Sequence, residues 1–283
     1  MSYPTSRPAT WFVTGASRGL GLALVRHLLD RGDHVAATTR STPRLLAALE
    51  GTDTTALLPL QVQLTDEAAV TRALEETATR FGSIDVIVNN AGYGYLGAVE
   101  ETSDQDVQQM LDVQVRGTWN VIRAALPRLR SARSGHIINI SSVLGLLSFP
   151  GWGLYCAGKY AIEGLSESLA AEVAHLGIDV TVVEPGYFDT DFLTDDSLVL
   201  PARTTDAYPA IRDMVAQHRA MPGSQPGDPR KAAVALVAIA ERGGPLRQQL
   251  GSDSSALAEG KADSLKAEVV AARELARSTD YAR

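Results

Sequence analysis

The sequence predicts an α/β fold in which a doubly wound, parallel sheet of about seven strands carries helices on both faces. Short runs of β-branched and aliphatic residues alternate along the chain with amphipathic helical patterns, which is the layout of parallel strands joined by crossover helices. After the first run, leucines recur one helical turn apart at Leu20, Leu24 and Leu28, and Gly32 follows them. One helical face is therefore apolar, and the glycine can close the helix, so the chain begins with a βαβ unit.

The remaining elements follow from the same patterns. Strands are predicted at residues 11–14, 34–39, 56–64, 84–90, 136–141, 178–184 and 246–250. Besides the helix between the first two strands, helices are predicted at residues 66–81, 104–131, 155–176, 228–242 and 254–278. Pro59 cannot donate a ladder hydrogen bond, so the start of the third strand stays open.

Length, charge and cysteine content restrict the class of protein. A chain of 283 residues with 45% hydrophobic content can bury a large core, and we expect residues 1–283 to form one domain. The net charge of −7 argues against a nucleic-acid partner, because such binding needs clustered Lys and Arg. Cys156 is the only cysteine, so an internal disulfide is excluded and the cytoplasm is the expected location. Neither a signal-peptide pattern nor a membrane-spanning apolar run is present, so no membrane partner is expected.

Two segments depart from the regular alternation. From 186 to 227 bulky apolar residues mix with Pro, Asp and Thr, and a long irregular segment in a compact domain is typical of a lid, so we predict a substrate-binding segment there. Disorder is the alternative. The helix at 254–278 is predicted as a C-terminal extension, with apolar residues Leu257, Leu265, Val269, Val270 and Leu275. It is expected to dock on the domain or on a second copy of the chain in a homo-oligomer, or to act as a stabilising tail.

A glycine loop follows the first strand. The sequence TGASRGLG at 14–21 places Gly15, Gly19 and Gly21 directly before the first helix. Glycines let backbone N–H groups approach a pyrophosphate, and the helix N-terminus favours its negative charge. An ordinary tight turn is the alternative, but the strand before and the helix after the loop favour a dinucleotide site.

The end of the second strand bears on the choice of cofactor. An acidic residue there would bind the ribose 2′-OH and repel a 2′-phosphate, whereas this strand ends at Thr39-Arg40. Arg18 lies in the glycine loop itself, and guanidinium groups suit a phosphate ester. The sequence therefore predicts NADP(H) in preference to NAD(H), unless both arginines are simply solvated.

A tyrosine and a lysine lie one helical turn apart in YCAGK at 155–159. Tyr155 and Lys159 share a helix face, and an ammonium near a phenol is expected to lower the pKa of the phenol, as acid–base catalysis at neutral pH requires. The fifth strand ends in Ser141 and Ser142, at the sheet edge where parallel sheets bind ligands. Ser142 could hold a substrate oxygen while Tyr155 exchanges its proton, although each motif alone has a structural explanation.

Taken together and in this order, the motifs resemble those of the short-chain dehydrogenase/reductase family. The resemblance extends from Trp11 to Thr190 through TGASRGLG, NNAG at 89–92, NISS at 139–142, YCAGK and PGYFDT at 185–190. It implies a Rossmann-type sheet that binds NAD(P)(H) and a hydride transfer between the nicotinamide and a carbonyl or alcohol carbon.

The resemblance also implies roles for individual residues. Tyr155 would be the general acid/base, Ser142 would position the substrate oxygen, and Lys159 would also hold the nicotinamide ribose. The predicted cofactor-binding residues are Gly15, Ser17, Arg18, Gly19, Leu20, Gly21, Arg40, Gln63, Asn89, Ala91, Gly92, Tyr155, Lys159, Pro185, Gly186 and Thr190.

Two positions depart from the family pattern. Gln114 stands where the family usually has an Asn that supports a water chain to the lysine, and Gln63 stands where an Asp often touches the adenine. Gln63 can both donate and accept, so it can serve the adenine. Gln114 is longer than Asn, and a displacement of about 1 Å can cost about a hundredfold in rate. A dinucleotide-binding regulator or scaffold with impaired catalysis is therefore an alternative, as is a cofactor-retaining epimerase or dehydratase.

The residues predicted to flank the substrate are mostly apolar. They are Leu144, Leu146, Phe149, Trp152, Tyr187, Phe188, Phe192 and Leu193, with Tyr208, Met214 and Met221 further along. Such pockets suit a bulky hydrophobic or aromatic ketone or alcohol, although lid residues also serve to seat the lid. The histidines at 27, 34, 136, 175 and 218 lack ligand spacing, so no metal is predicted.

Overall fold

The computed structural model describes residues 3–281, and within this range seven strands form one parallel sheet. The strands of the chain are β1 (Thr10–Val13), β2 (His34–Thr39), β3 (Leu57–Gln61), β4 (Val86–Asn89), β5 (Gly94–Tyr95), β6 (Gly135–Ile140), β7 (Ile178–Pro185), β8 (Leu198–Val199) and β9 (Arg247–Leu250). The order in the large sheet is β3-β2-β1-β4-β6-β7-β9, whereas β5 and β8 pair separately. From β1 the chain adds β2 and β3 on one side and then continues with β4, β6, β7 and β9 on the other side. This change of side between β1 and β4 confirms the predicted doubly wound α/β fold.

Helices cover both faces of the sheet. They are α1 (Gly19–Asp30), α2 (Thr42–Ala48), α3 (Glu67–Phe81), α4 (Asp104–Leu111), α5 (Gly117–Ala132), α6 (Gly153–Val173), α7 (Pro209–Arg219), α8 (Pro229–Arg242), α9 (Ser252–Ala271) and α10 (Arg273–Arg277). The predicted helix at 104–131 is not uniform, because a π-helical segment at Asp112–Arg116 separates α4 from α5. Such segments occur frequently at functional sites.

Alternating side chains of β1 divide the core into two layers. Trp11 and Val13 pack with α1 and α8 on one face, and Phe12 packs with α3, α5 and α6 on the other. This period of two is what a strand buried on both faces requires. Pro59 lies in β3, the last strand at its edge of the sheet, where its missing N–H costs no hydrogen bond.

Helix α2 was not expected from the apolar pattern, because it is short and has one buried residue, Leu45. Its start nevertheless carries a recognisable capping sequence. The side chain of Ser41 accepts a hydrogen bond from the Arg44 backbone N–H, and a proline occupies the first turn. The helix places Arg44 beside the glycine loop, and this position matters for the site described below.

The segment 186–227 is more ordered than the predicted irregular segment. It contains a short 3₁₀ turn at Asp191–Leu193, strand β8 and helix α7. Gly94 of β5 pairs with Leu198 of β8, so a two-stranded sheet joins the segment to the part of the chain just after β4. Beneath it lies a third apolar cluster that includes Tyr95, Trp152, Tyr155 and Leu193.

Among the described residues, the C-terminal extension is buried against the domain near its start and is exposed from residue 262 onward. Ser254 is buried and its hydroxyl donates to the Glu184 carbonyl at 2.7 Å. Further along, the apolar side chains are exposed, at Leu265, Val269, Val270 and Leu275. Because α9 projects away after its first turns, these four side chains are left exposed, and docking on a second copy of the chain or a role as a stabilising tail stays a prediction. Within residues 3–281 no helix is long and apolar enough to cross a membrane.

Candidate active site

The backbone of the glycine loop lies close to the turn that follows β4. Gly15 and Gly19 adopt positive φ of 66° and 55°, which L side chains rarely adopt. A Cβ on Gly15 would lie 2.7 Å from Ala91 Cα, and a Cβ on Gly21 would lie 2.5 Å from Asn90 Nδ2. At the start of α1, the N-cap residue Arg18 makes no side-chain cap bond and the first turn carries no acid. The loop and helix start therefore fit a diphosphate.

Asn90, which the sequence analysis missed, fastens the loop. Its Nδ2 donates to the carbonyls of Thr14 at 2.9 Å and Gly15 at 3.1 Å. Asn89 was predicted along the cofactor instead, but its side chain turns the other way. Asn89 Nδ2 donates to Asn139 Oδ1 at 2.8 Å, inside the sheet. Adjacent strand residues point to opposite faces, so only one of the two asparagines can face the loop.

Three guanidinium groups gather beside the glycine loop. Burial lowers the pKa of Arg18, and repulsion from Arg40 and Arg44 lowers it further. Asp196, from the segment 186–227, accepts from Arg18 Nη1 through its carbonyl at 2.5 Å and from Arg44 Nη2 through its carboxylate at 2.6 Å. The cluster thus already binds one anionic group, supplied by the chain itself.

The predicted catalytic tyrosine lies at the start of α6. Tyr155 is buried, and its ring meets Trp152 at 5.5 Å and Phe192 at 5.6 Å between centroids, both edge to face. The Ser142 hydroxyl accepts from the Leu144 N–H at 3.1 Å, at the turn after β6. The Ser142 hydroxyl also acts to lower the pKa of Tyr155, so the two side chains lie close to each other.

The pKa of Tyr155 moves in the direction opposite to the expected one. Burial raises the pKa of the phenol, and the hydrogen bond with Ser142 offsets only part of that rise. Lys159 Nζ lies 5.5 Å from the centroid of the Tyr155 ring and donates to the Ile140 carbonyl at 2.9 Å. Burial lowers the pKa of Lys159 to about 8. The expectation that Lys159 lowers the pKa of Tyr155 is thus wrong here, because desolvation dominates.

Gln114 lies behind the site, in the π-helical segment. Its Nε2 donates to the Tyr93 carbonyl at 2.9 Å, while its Oε1 is buried and has no hydrogen-bond partner among the residues that the structure describes. A Cβ on Gly92 would lie 3.9 Å from both Gln114 Nε2 and Lys159 Nζ. The amide is therefore near the lysine, separated from the cavity by the 92–93 backbone.

One cavity of about 1010 Å³ extends from the glycine loop to the aromatic residues of α6. Its lining includes these predicted residues: Gly15, Ser17, Arg18, Gly19, Leu20, Arg40, Gln63, Ala91, Gly92, Ser142, Leu144, Phe149, Trp152, Tyr155, Lys159, Pro185, Gly186, Tyr187, Phe188, Thr190, Phe192 and Leu193. The volume matches a site that takes both a cofactor and a small substrate.

Seven predicted residues do not line this cavity: Gly21, Asn89, Gln114, Leu146, Tyr208, Met214 and Met221. Met214 and Met221 pack into the apolar cluster beneath the segment 186–227. Tyr208 instead donates to Glu100 Oε2 at 2.5 Å on the surface. These three side chains are therefore engaged outside the cavity lining.

The cavity also includes residues that the sequence analysis missed, among them Arg44, Asn90, Tyr93, Asp196, Asp253 and Leu257. Asp253 Oδ2 accepts from the Tyr187 N–H at 2.8 Å, so the start of α9 supports the turn after β7. Two of them had a sequence indication: Asn90 stands in the NNAG motif at 89–92, and Arg44 follows the Ser-Thr-Pro helix start at 41–43. Among the described residues, no group of three His, Cys, Asp or Glu could hold a metal ion.

A doubly wound sheet whose glycine loop shares one cavity with a Ser-Tyr-Lys set defines a class of dinucleotide-binding oxidoreductases. The model of the short chain dehydrogenase family matches residues 9–198. The chain belongs to this family.

Curated relatives agree with that assignment. The oxidoreductase BOA17 of Botryotinia fuckeliana is 36% identical over 94% of this chain and 97% of its own length. A 3-ketodihydrosphingosine reductase of Bacteroides thetaiotaomicron is 37% identical over 66% of this chain and 66% of its own length. These similarities establish that the chain is an oxidoreductase of the family.

Solved structures show the same fold. A short-chain dehydrogenase from Streptomyces avermitilis superposes with a TM-score of 0.87 at 36% identity, covering 97% of this chain and 100% of the other. ElxO with NADP bound gives 0.70 at 26% identity, covering 86% and 98%. A 3-ketoacyl-(acyl-carrier-protein) reductase from Brucella melitensis, complexed with NADH, gives 0.72 at 22%, covering 86% and 96%. Structural neighbours thus bind either cofactor.

Proposed function

We propose that the protein is an NADP(H)-dependent carbonyl reductase that acts reversibly on bulky hydrophobic or aromatic ketones and alcohols. The observation that carries the proposal is the opening of Ser142, Tyr155 and Lys159 into the same cavity as the glycine loop. A proton donor and a hydride source must meet at one carbonyl group, and this arrangement allows them to meet.

The roles of the residues follow from their environments. Ser142 binds the substrate oxygen, and Tyr155 delivers a proton to it as negative charge develops. When bound, NADPH supplies the hydride to the carbonyl carbon. Because burial raises the pKa of Tyr155, the phenol stays protonated at ordinary pH and is ready to act as the acid in reduction. Lys159 supplies a positive charge against the tyrosine ring and a donor for the ribose.

The arginine cluster supports the choice of NADP(H). Arg18, Arg40 and Arg44 converge next to the end of β2, and the strand end itself, Thr39-Arg40, carries no acidic residue to bind a ribose 2′-OH. In this structure the carboxylate of Asp196 lies against Arg44. A 2′-phosphate would offer the same guanidinium groups more charge and more acceptor oxygens.

The substrate part of the cavity supports an apolar ketone. Its walls come from Leu144, Phe149, Trp152, Tyr187 and Phe192. The name of the similar 3-ketodihydrosphingosine reductase also describes the reduction of a ketone. We therefore extend the proposal to ketones with a large apolar or aromatic group.

The proposal is tested by following NADPH absorbance with a panel of aromatic, polycyclic and aliphatic ketones. We expect turnover that favours the bulky apolar members, and tighter NADPH than NADH binding in fluorescence titrations. No turnover on any ketone or alcohol would refute the reductase, and a preference for NADH would refute the cofactor choice. Substrate conversion without net NADPH consumption would instead indicate a cofactor-retaining epimerase or dehydratase.

A dinucleotide-binding regulator with impaired catalysis is the second candidate. The observation in its favour is Gln114, whose Oε1 is buried without a hydrogen-bond partner next to Lys159. Gln114→Asn separates the two functions. For a working reductase we expect a change in kcat smaller than about tenfold, because Gln114 keeps the amide within reach of the lysine.

Gln108→Asn is the matched control. Gln108 lies exposed on α4, so this substitution makes the same chemical change away from the site. Steady-state rates on the best ketone give the comparison. A rise of Gln114→Asn from no turnover to clear turnover, without any rise in the control, would favour the regulator.

A further inference from the structure

Two carboxyl groups are buried directly behind the Ser-Tyr-Lys set. Glu163 on α6 is 5% exposed, and Glu184 on β7 is fully buried. Within residues 3–281, neither Glu163 oxygen has a hydrogen-bond partner. Buried carboxylates are costly unless they are paired, so their position next to a reaction site calls for a reason.

Arg247 on β9 forms ion pairs with both buried carboxyl groups. Its guanidinium lies 3.3 Å from Glu163, 3.4 Å from Glu184 and 2.8 Å from Glu167, which is exposed on α6. Gln249 also donates to Glu184 Oε2 at 2.5 Å. One cation thus serves two buried carboxyl groups, and full ionisation of both would leave uncompensated buried charge.

Glu163 reaches the candidate active site through two neighbours. Ser141, which precedes Ser142, is one of them: a Cβ on Gly145 would lie 2.6 Å from Ser141 Oγ and 2.8 Å from Glu163 Oε1. Lys159 is the other, because it precedes Glu163 by one turn on the same face of α6. Lys159 itself is 6% exposed and is fixed to the Ile140 carbonyl.

The ionisation of Glu163 and Lys159 falls in the same pH range. Burial raises the pKa of Glu163 to about 7; Glu184 and Ser141 act on it in opposite directions, the first raising and the second lowering it. Burial lowers the pKa of Lys159 to about 8, and the negative charge of Glu163 opposes that fall. Between these values the carboxylate and the ammonium are both charged, one helical turn apart.

We propose that Glu163 is a positioning residue that keeps Lys159 protonated in the upper part of the working pH range. The inference rests on the proposed function, in which Lys159 acts as a cation. The groups that face Glu163 are Lys159 and Glu167 on α6, Glu184 on β7, Arg247 on β9 and the Ser141 hydroxyl after β6. Glu163 acts on the reaction only through Lys159.

Replacement of Glu163 by Gln tests the proposal through the pH profile of kcat/KM for ketone reduction. The loss of rate at high pH should begin about one pH unit lower than in the parent protein, because Lys159 loses its nearby anion. Below pH 7 the two proteins should converge, since Gln resembles the protonated carboxyl group that the parent then carries. An unchanged midpoint, or an equal loss at every pH, would overturn the proposal.

Glu167→Gln is the matched control. Glu167 pairs with the same Arg247, but it is exposed and lies two turns from Lys159. Its high-pH midpoint should be unchanged. Should Glu163→Gln fail to fold, Glu184→Gln takes its place. This substitution removes the repulsion that Glu184 exerts on ionised Glu163, so the midpoint that reports Lys159 should stay unchanged or rise. A lower midpoint would contradict the inference.

A second measurement does not depend on enzyme activity. Trace acetic anhydride acetylates neutral amines but not protonated ones. Mass spectrometry of the peptide that contains Lys159 gives the extent of acetylation at each pH, and the midpoint of that curve is the pKa of the lysine. Glu163→Gln should lower that pKa by about one unit and Glu167→Gln should not. A shifted labelling curve without ketone reduction would refute the proposed function alone, whereas an unshifted curve would refute the role of Glu163.

Discussion

Tyr155→Phe should lower kcat for ketone reduction by about a thousandfold, because it removes the proton donor from the reacting oxygen. The ring that remains keeps its edge-to-face contacts with Trp152 and Phe192, so the helix start and the cavity wall are preserved. NADPH should therefore still bind. Steady-state kinetics and fluorescence titration of NADPH measure the two effects separately.

Tyr160→Phe provides a control in the same helix. Tyr160 lies five residues further along α6, is 44% exposed and donates its hydroxyl to the Leu146 carbonyl, outside the cavity. The same atom is removed in both variants, but only Tyr155 faces Ser142. A Tyr155→Phe enzyme with more than about a tenth of the parent rate would contradict the assigned role, whatever the control does.

Arg18→Ala and Arg44→Ala should each weaken NADPH binding by roughly tenfold to a hundredfold, because each removes hydrogen bonds to a charged group. Affinity for NADH, which lacks the 2′-phosphate, should change much less. Asp196→Asn should act in the opposite direction, since it removes the carboxylate that competes for the Arg44 guanidinium, although the Asp196 carbonyl still accepts from Arg18. Titrations of all variants with both cofactors, at one fixed salt concentration, measure these effects.

The control for this pair is Arg26→Ala. Arg26 is exposed on α1, donates to the Ala48 carbonyl and does not line the cavity. Its loss should leave both affinities unchanged. Equal weakening of NADPH and NADH by Arg18→Ala would mean that the arginine binds the shared diphosphate rather than a 2′-phosphate.

The raised pKa of Glu163 also has a consequence for stability. The folded protein holds this proton up to about pH 7, whereas an unfolded chain releases it near the usual pKa of about 4.5. The contribution of this group to the free energy of unfolding is therefore fully present below pH 4.5 and is lost as pH rises through 7. Glu163→Gln should flatten the pH dependence of stability in that window.

Local patterns were sufficient for much of the fold and the site. The glycine spacing at 14–21, the turn between Tyr155 and Lys159 and the strand end at Ser142 are features of neighbouring residues, and their geometry follows from helix and strand periods. The Ser-Thr-Pro start of α2 was equally readable, and with it Arg44 could have been predicted.

Contacts between distant segments could not be predicted in this way. Asp196 reaches Arg18 and Arg44, and Asp253 reaches Tyr187, only after segments far apart in the chain fold against each other. The choice between Asn89 and Asn90 likewise depended on which face of β4 meets the glycine loop. Register errors of one residue reverse a side chain, so motif boundaries alone did not resolve it.

The sequence by itself determined the seven strands of the large sheet, most of the long helices, the glycine loop and the residue types at the reaction site, because these depend on short-range periodicity and backbone preferences. Only the tertiary structure decided the ionisation of that site. The pKa values of Tyr155, Lys159 and Glu163 depend on how completely the surrounding elements exclude water and on which charges they bring within reach, and both are properties of packing.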